Sequence, residues 1–172
     1  MSHHIEPRIY VACLAAYNAG YLHGEWINAN QDAEDIQAEI SEVLKTSPIP
    51  HAEEWAIHDY EGLGRGVIEE YTGIETVAKL AAFIAKHADL GVLLLEHTSG
   101  DLEDAERLIE NYLGVYASLA DYAQELTEET TEIPANLSFY IDYQSMARDM
   151  EMNGDLLTIE EGFEKVHIFL SY

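Results

Sequence analysis

The side chains most suggestive of chemistry lie in "EEWAIHDYEG", residues 53–62, where His58, Asp59 and Glu61 end a run of alternating apolar and polar residues. A histidine among carboxylates suits a general base or a metal ligand. Strand geometry argues against both. With a period of two, Trp55, Ile57 and Asp59 share one face while Ala56, His58 and Tyr60 share the other, so His58 and Asp59 diverge and form no dyad. Glu96 and His97 lack the second histidine of an HExxH zinc helix. There is no GxSxG elbow and no phosphate loop ending in GK[ST]. A metal-assisted hydrolase built on His58 or His97 therefore competes without a complete ligand set. No catalytic residue, metal site or cofactor is expected.

A second candidate is "DMEMNGDLLTIE", residues 149–160. Asp149, Glu151, Asn153, Gly154, Leu156 and Glu160 fall on the first, third, fifth, sixth, eighth and twelfth positions of an EF-hand-like calcium loop. Against it, the third position is Glu rather than Asp or Asn, the ninth is Leu157, and "EGFEKVHIFLSY" has the pattern of a strand where an exiting helix is needed. The competing reading is a helix ended by Asn153 and Gly154 and followed by a strand. A calcium-binding acidic protein is kept as the alternative function.

Charge is the dominant property of the 172-residue chain: 33 Asp and Glu face 8 Lys and Arg, a formal net charge of −25. That balance argues against unaided nucleic-acid binding, which needs cations for phosphates. Disorder does not fit either, because 48% of residues are hydrophobic and eleven are tyrosine. A halophile's solvated surface is a further alternative. At −25, however, self-repulsion works against the compact state, and far fewer acids would secure solubility, so a functional acidic surface is expected. Duplex DNA carries one charge per ~1.7 Å of axis, so 33 carboxylates at that density would span roughly 56 Å. The Lys and Arg of a DNA-binding partner, already arranged for phosphates, would then drive association.

Cys13 is the single cysteine, which leaves no disulfide framework and suits a reducing, cytoplasmic setting. The opening "MSHHIEP" has no leader pattern, and the longest apolar run, Val92 to Leu95, is too short for a membrane.

The elements that must carry the acids follow from periodicity. "RIYVACL" (8–14) and "YLHGEWINA" (21–29) read as a hairpin joined by "AAYNAG". Asp32 caps a helix to about Lys45, with Ala33, Ile36, Ile40, Val43 and Leu44 inward, stopped by Pro48 and Pro50. "EEWAIHDY" is a strand, and "GLGRG" (62–66) marks a boundary. Helices follow at "IETVAKLAAFIAKH" and "DLEDAERLIENY", a strand at "YLGVYAS", helices at "LADYAQELTEE" and "SFYIDYQSMARDM", and a strand at "KVHIFLSY". Lys79, Arg107 and Lys165 each follow a glutamate by four residues, as local helix pairs do. The fold expected is α+β, with a sheet-and-helix N-terminal domain at 1–62, a helical middle domain at 63–100 and an α/β C-terminal domain at 101–172.

Four ordered segments, "IYVACLAAYNAGYLHGEWI", "EEWAIHDYEG", "EEYTGIE" and "IPANLSFYIDYQSMARDMEMNG", resemble the ArdA antirestriction family over nearly the whole chain, with the poorest agreement at residues 78–130. The resemblance implies a non-enzymatic DNA mimic, elongated, with three small domains and dimerising through the last. Its partner would be the DNA-binding groove of type I restriction-modification enzymes, largely on the methyltransferase core, protecting an incoming mobile element. On that reading "AIHDYEG" is a strand and domain-edge signature. The carboxylates expected to meet the partner are those of outward helix faces: Glu34, Asp35, Glu39 and Glu42; Glu69, Glu70 and Glu75; Asp101, Glu103, Asp104, Glu106 and Glu110; Asp121, Glu125, Glu128 and Glu129.

Overall fold

The computed structural model describes residues 5–171. They form an α+β fold with six α-helices and two three-stranded antiparallel sheets, in the order β1 (Arg8–Cys13), α1 (Leu14–Asn18), β2 (Gly24–Asn28), α2 (Ala33–Lys45), β3 (Trp55–Glu61), α3 (Ile74–His97), α4 (Leu102–Glu110), β4 (Tyr112–Tyr116), α5 (Leu119–Thr130), α6 (Tyr143–Met152), β5 (Leu156–Gly162) and β6 (Lys165–Leu170). Two compact units result, one ending at Ala105 and one beginning at Glu106, so the division falls within α4. The residues expected as first and second domains, 1–62 and 63–100, belong to one unit.

In the first unit the sheet order is β2-β1-β3. β1 is central because it is the most apolar strand, with Ile9, Val11, Ala12 and Cys13 all buried. Tyr10 pairs with Trp26 across β1 and β2, their rings 5.5 Å apart. Arg8 ties the three strands at one end. Its Nε and Nη2 donate to Glu61 Oε2 at 2.8 and 2.6 Å, while its guanidinium lies 4.6 Å from the centroid of Trp26. The β1–β2 connection is more than a turn. α1 occupies Leu14–Asn18, and β2 starts only at Gly24 instead of at residue 21. α2 begins after Asp32 and buries Ile36, Ile40 and Val43, which lie three or four residues apart and so on one stripe.

The strict alternation expected of β3 fails. Tyr10 pairs with Asp59 but Val11 pairs with Ile57, so His58 is an extra residue in a β-bulge. Ile57 and Asp59 consequently lie on opposite faces, following Val11 and Tyr10. A bulge shifts the alternation by one residue, which the side-chain pattern alone does not reveal.

α3 buries Ile74, Val77, Leu80, Ala81 and Ile84 before an interruption at Ala88, whose φ of 52° and ψ of −134° are not helical. That conformation suits glycine and strains a residue with a Cβ by about 1–3 kcal/mol. Ala88→Gly gives back roughly 0.4–1 kcal/mol through the freer unfolded chain. The net expectation is stabilisation by about 1 kcal/mol, seen as a rise of roughly 2–4 °C in the thermal midpoint; a fall would show that residue 88 is helical in solution.

In the second unit the sheet order is β4-β6-β5, with His167, Ile168 and Phe169 of central β6 buried. Gly114, at φ 125°, sits at a register shift in β4 where a side chain would be strained. α5 and α6 pack on each other through small residues, Ala123 and Ala147 being buried, and Thr127 Oγ1 donates to Met146 Sδ at 3.3 Å. The helix expected over "SFYIDYQSMARDM" starts late. Ser138–Tyr140 is a 3-10 turn, and Asp142 caps α6 by accepting from the Ser145 N–H at 3.0 Å and its hydroxyl at 2.7 Å.

Candidate interaction surface

Every nominated carboxylate is exposed. Extended to all 33 acids, the same holds except at Glu61, which is half-buried against Arg8. The first unit carries 19 acids against 5 Lys and Arg, a net −14, and the second 14 against 3, a net −11. Both units therefore present an unneutralised acidic shell. The cause is simple: buried carboxylates without partners are costly, and the apolar stripes supply enough core without them.

On α2, Glu34 and Asp35 occupy the first turn, where the helix dipole favours negative charge. Glu39 accepts from Gln31 Nε2 at 2.8 Å, and Glu42 pairs with Lys45 at 2.7 Å. Glu69 and Glu70 are not on a helix as expected. They lie in the turn before α3, where the carbonyl of Glu70 accepts from the Ile57 N–H at 2.9 Å and holds the turn to β3. Glu75 is in the first turn of α3. Asp101 precedes α4 and its Oδ1 accepts from the Asp104 N–H at 3.1 Å, while Glu103, Asp104, Glu106 and Glu110 lie on the helix. α5 carries the remaining four: Asp121 is joined to the N-cap Ser118, Glu128 accepts from Gln124, Glu125 bonds the Tyr116 phenol, and Glu129 lies beside it in the last turns. The Glu125 carboxylate pushes Tyr116 up to about 12, so the phenol stays a donor.

Acids outside the nominated set are exposed as well, among them Asp59 on β3, Glu160 on β5, and Asp89 and Glu96 on α3. Of the pairs expected four residues apart, Lys165 does meet Glu161 at 2.7 Å, but across the β5–β6 hairpin and not along a helix.

Glu161 belongs to a polar network that reaches the core. His167 is 5% exposed, its Nδ1 2.8 Å from the Tyr112 hydroxyl and its Nε2 2.7 Å from Glu161 Oε2. A carboxylate only accepts, so Nε2 donates to Glu161, and in the neutral imidazole Nδ1 is left to accept from the tyrosine. Hydrogen bonds from Lys165 and then His167 hold the Glu161 carboxyl below its usual range. Burial, and then the charge of Glu161, push the Tyr112 phenol up. No nucleophile joins this chain of contacts, whose evident work is to satisfy a buried imidazole.

The two motifs that opened the sequence reading resolve into structure. His58 sits edge-on to Tyr17, ring centroids 4.9 Å apart, and its Nε2 is 3.8 Å from Glu70; Asp59 Oδ1 accepts from the Tyr60 N–H at 2.8 Å. Residues 149–160 are no loop: α6 runs to Met152, Gly154 turns the chain at φ 77°, and β5 begins at Leu156. Among the described residues no group of three or more His, Cys, Asp or Glu is arranged to hold a metal ion. None of their helices is long and apolar enough to cross a membrane.

Residues 9–165 match a family model described as "Antirestriction protein (ArdA)". No curated protein matches the chain.

Proposed function

Because the chain belongs to the ArdA antirestriction family, we propose that it acts as a DNA mimic, its carboxylates occupying the DNA-binding groove of a type I restriction-modification enzyme on the methyltransferase core. The observation that carries this reading is the exposure of all the acids but Glu61, shared between two units of −14 and −11. An inhibitor of this kind works by occupancy, so no catalytic residue is required, and the occupied groove is closed to DNA for restriction and modification alike. The setting is the cytoplasm into which a mobile element enters.

The same reading includes a homodimer formed through residues 101–172. Leu137, Phe139 and Tyr140 support it: all three are exposed within four residues of the second unit, Phe139 by 94%, and large side chains clustered in sequence like this are costly to leave in water. It also retains three functional segments, 1–62, 63–100 and 101–172, with the glycine-rich loop 62–66 as the first boundary.

The test is displacement of a labelled duplex from a purified type I methyltransferase at two salt concentrations, with chelator present. Displacement that weakens as salt rises and ignores the chelator is expected. Failure to displace from several such enzymes, with the protein well above the duplex concentration, would refute the mechanism.

A further inference from the structure

One concavity in the first unit differs from the rest of the acidic shell. It is an open groove of about 660 Å3 between the end of β3 with its following loop and the part of α3 beyond Ala88. That volume lies within the roughly 300–1,000 Å3 of ligand-sized pockets. Ile5, Val92 and the ring of Tyr60 give it apolar and aromatic walls, and Asp59, Asp89 and Glu96 outnumber Arg65 among its charged groups.

The walls are fixed before any ligand arrives. The Tyr60 hydroxyl accepts from the Gly66 N–H at 2.9 Å, and Glu96 Oε1 accepts from the Arg65 N–H at 2.8 Å. Gly64, at φ 95°, closes the floor so tightly that a Cβ there would come within 2.8 Å of Glu96 Cγ. A carboxylate has about four acceptor sites, so Glu96 retains capacity beyond that one bond. Preorganised acceptors beside an aromatic face favour a planar, weakly hydrated cation over a compact ammonium. An alkyl stem also fits walls of Ile5 and Val92.

We propose that this groove seats one arginine side chain of the partner, acting as an anchor within an otherwise diffuse electrostatic contact. The proposal rests on the mimic reading for the identity of the partner, since a groove that binds DNA presents arginines already aimed at phosphates. The seat itself is a property of the groove alone.

The full chain, followed by amide NMR, is titrated with N-acetyl-arginine amide and with the neutral N-acetyl-citrulline amide. Shifts at Gly62, Gly64 and Arg65 are expected with arginine and not with citrulline, and should be lost in Asp59→Asn, whose amide oxygen still accepts from the Tyr60 N–H. Val92→Trp, which fills the groove, should raise the concentration for half-displacement of duplex about tenfold. Equal shifts with citrulline, or arginine shifts only elsewhere, overturn the seat; so does a folded Val92→Trp that displaces like the parent. If the parent protein displaces no duplex yet arginine shifts the groove amides, the partner assignment falls and the seat stands.

Discussion

Replacing the four α2 acids together, as Glu34→Gln, Asp35→Asn, Glu39→Gln and Glu42→Gln, is expected to raise the concentration needed to displace duplex DNA by about ten- to a hundredfold, while each single change stays within about twofold. The reason is the diffuse character of the contact. One exposed charge facing a basic groove is worth up to about 1 kcal/mol in water, whereas four neighbours on one helix act on the same set of cations. The set takes the net charge from −25 to −21, so its effect would come from position and not from bulk charge. A control that neutralises four acids scattered over both units should therefore lose less. The salt dependence should flatten with the α2 set, because fewer counterions are exchanged on binding.

α2 is the cleanest helix for this experiment. Gln at 39 still accepts from Gln31, and Glu42 is partly offset by Lys45, whereas on α5 the loss of Glu125 would also release the Tyr116 phenol. Glu34 and Asp35 do assist the first turn of α2, where Asp32 makes no side-chain cap bond, so their removal costs about 0.3–1 kcal/mol each. Thermal midpoints measured beside displacement separate that cost from lost contact. A single substitution that abolished displacement while the protein stayed folded would refute the diffuse model, as would a quadruple variant that displaced like the parent.

The acidic shell was legible in the sequence for an elementary reason: its charge and its distribution over every element are composition. The core of the first unit was equally open, since Ile9 and Val11 on β1 and Ile36, Ile40 and Val43 on α2 follow from the periods of strand and helix, whereas on β6 His167, Ile168 and Phe169 are buried in succession, which a period of two does not give. Periodicity failed where a single residue resets it. His58 in its bulge moved Asp59 to the other face from Ile57, and Ala88 broke a helix whose side chains all suit a helix. Asp142 and Ser145 carried a capping signal in the sequence that the apolar pattern of "SFYIDY" obscured. Glu161 and Lys165 show the limit of spacing: four residues apart suits a helix, yet a tight hairpin brings the same pair together. The groove beside Tyr60 depends on a loop folding back on α3, a long-range contact that no local pattern encodes.

Phe169→Ala is expected to cost about 3–5 kcal/mol, which is most of the stability of a small unit. Phe169 lies on the central strand β6, fully buried, paired with Tyr112 on one side and Leu157 on the other, its ring 5.0 Å from that of Tyr112. Few large side chains share that core. In the second unit only Ile168 and Phe169 are both large and fully buried among the described residues, so no neighbour is placed to collapse into the vacancy. The readout is unusually clean, because the chain has two tryptophans and both, Trp26 and Trp55, lie in the first unit. Urea unfolding of the variant should therefore show an early far-UV transition with little change in tryptophan emission, followed by a later one that tryptophan reports. Ile40→Ala, which removes the corresponding anchor beneath α2, should instead move the tryptophan transition to lower urea. If Phe169→Ala shifted both signals together, the two compact units would be one cooperative unit, and a mimic surface built from both could not lose one half without the other. If the transitions separate, Phe169→Ala also isolates the first unit's −14 surface for the displacement assay, where it should retain weak, salt-sensitive competition without the second unit's −11.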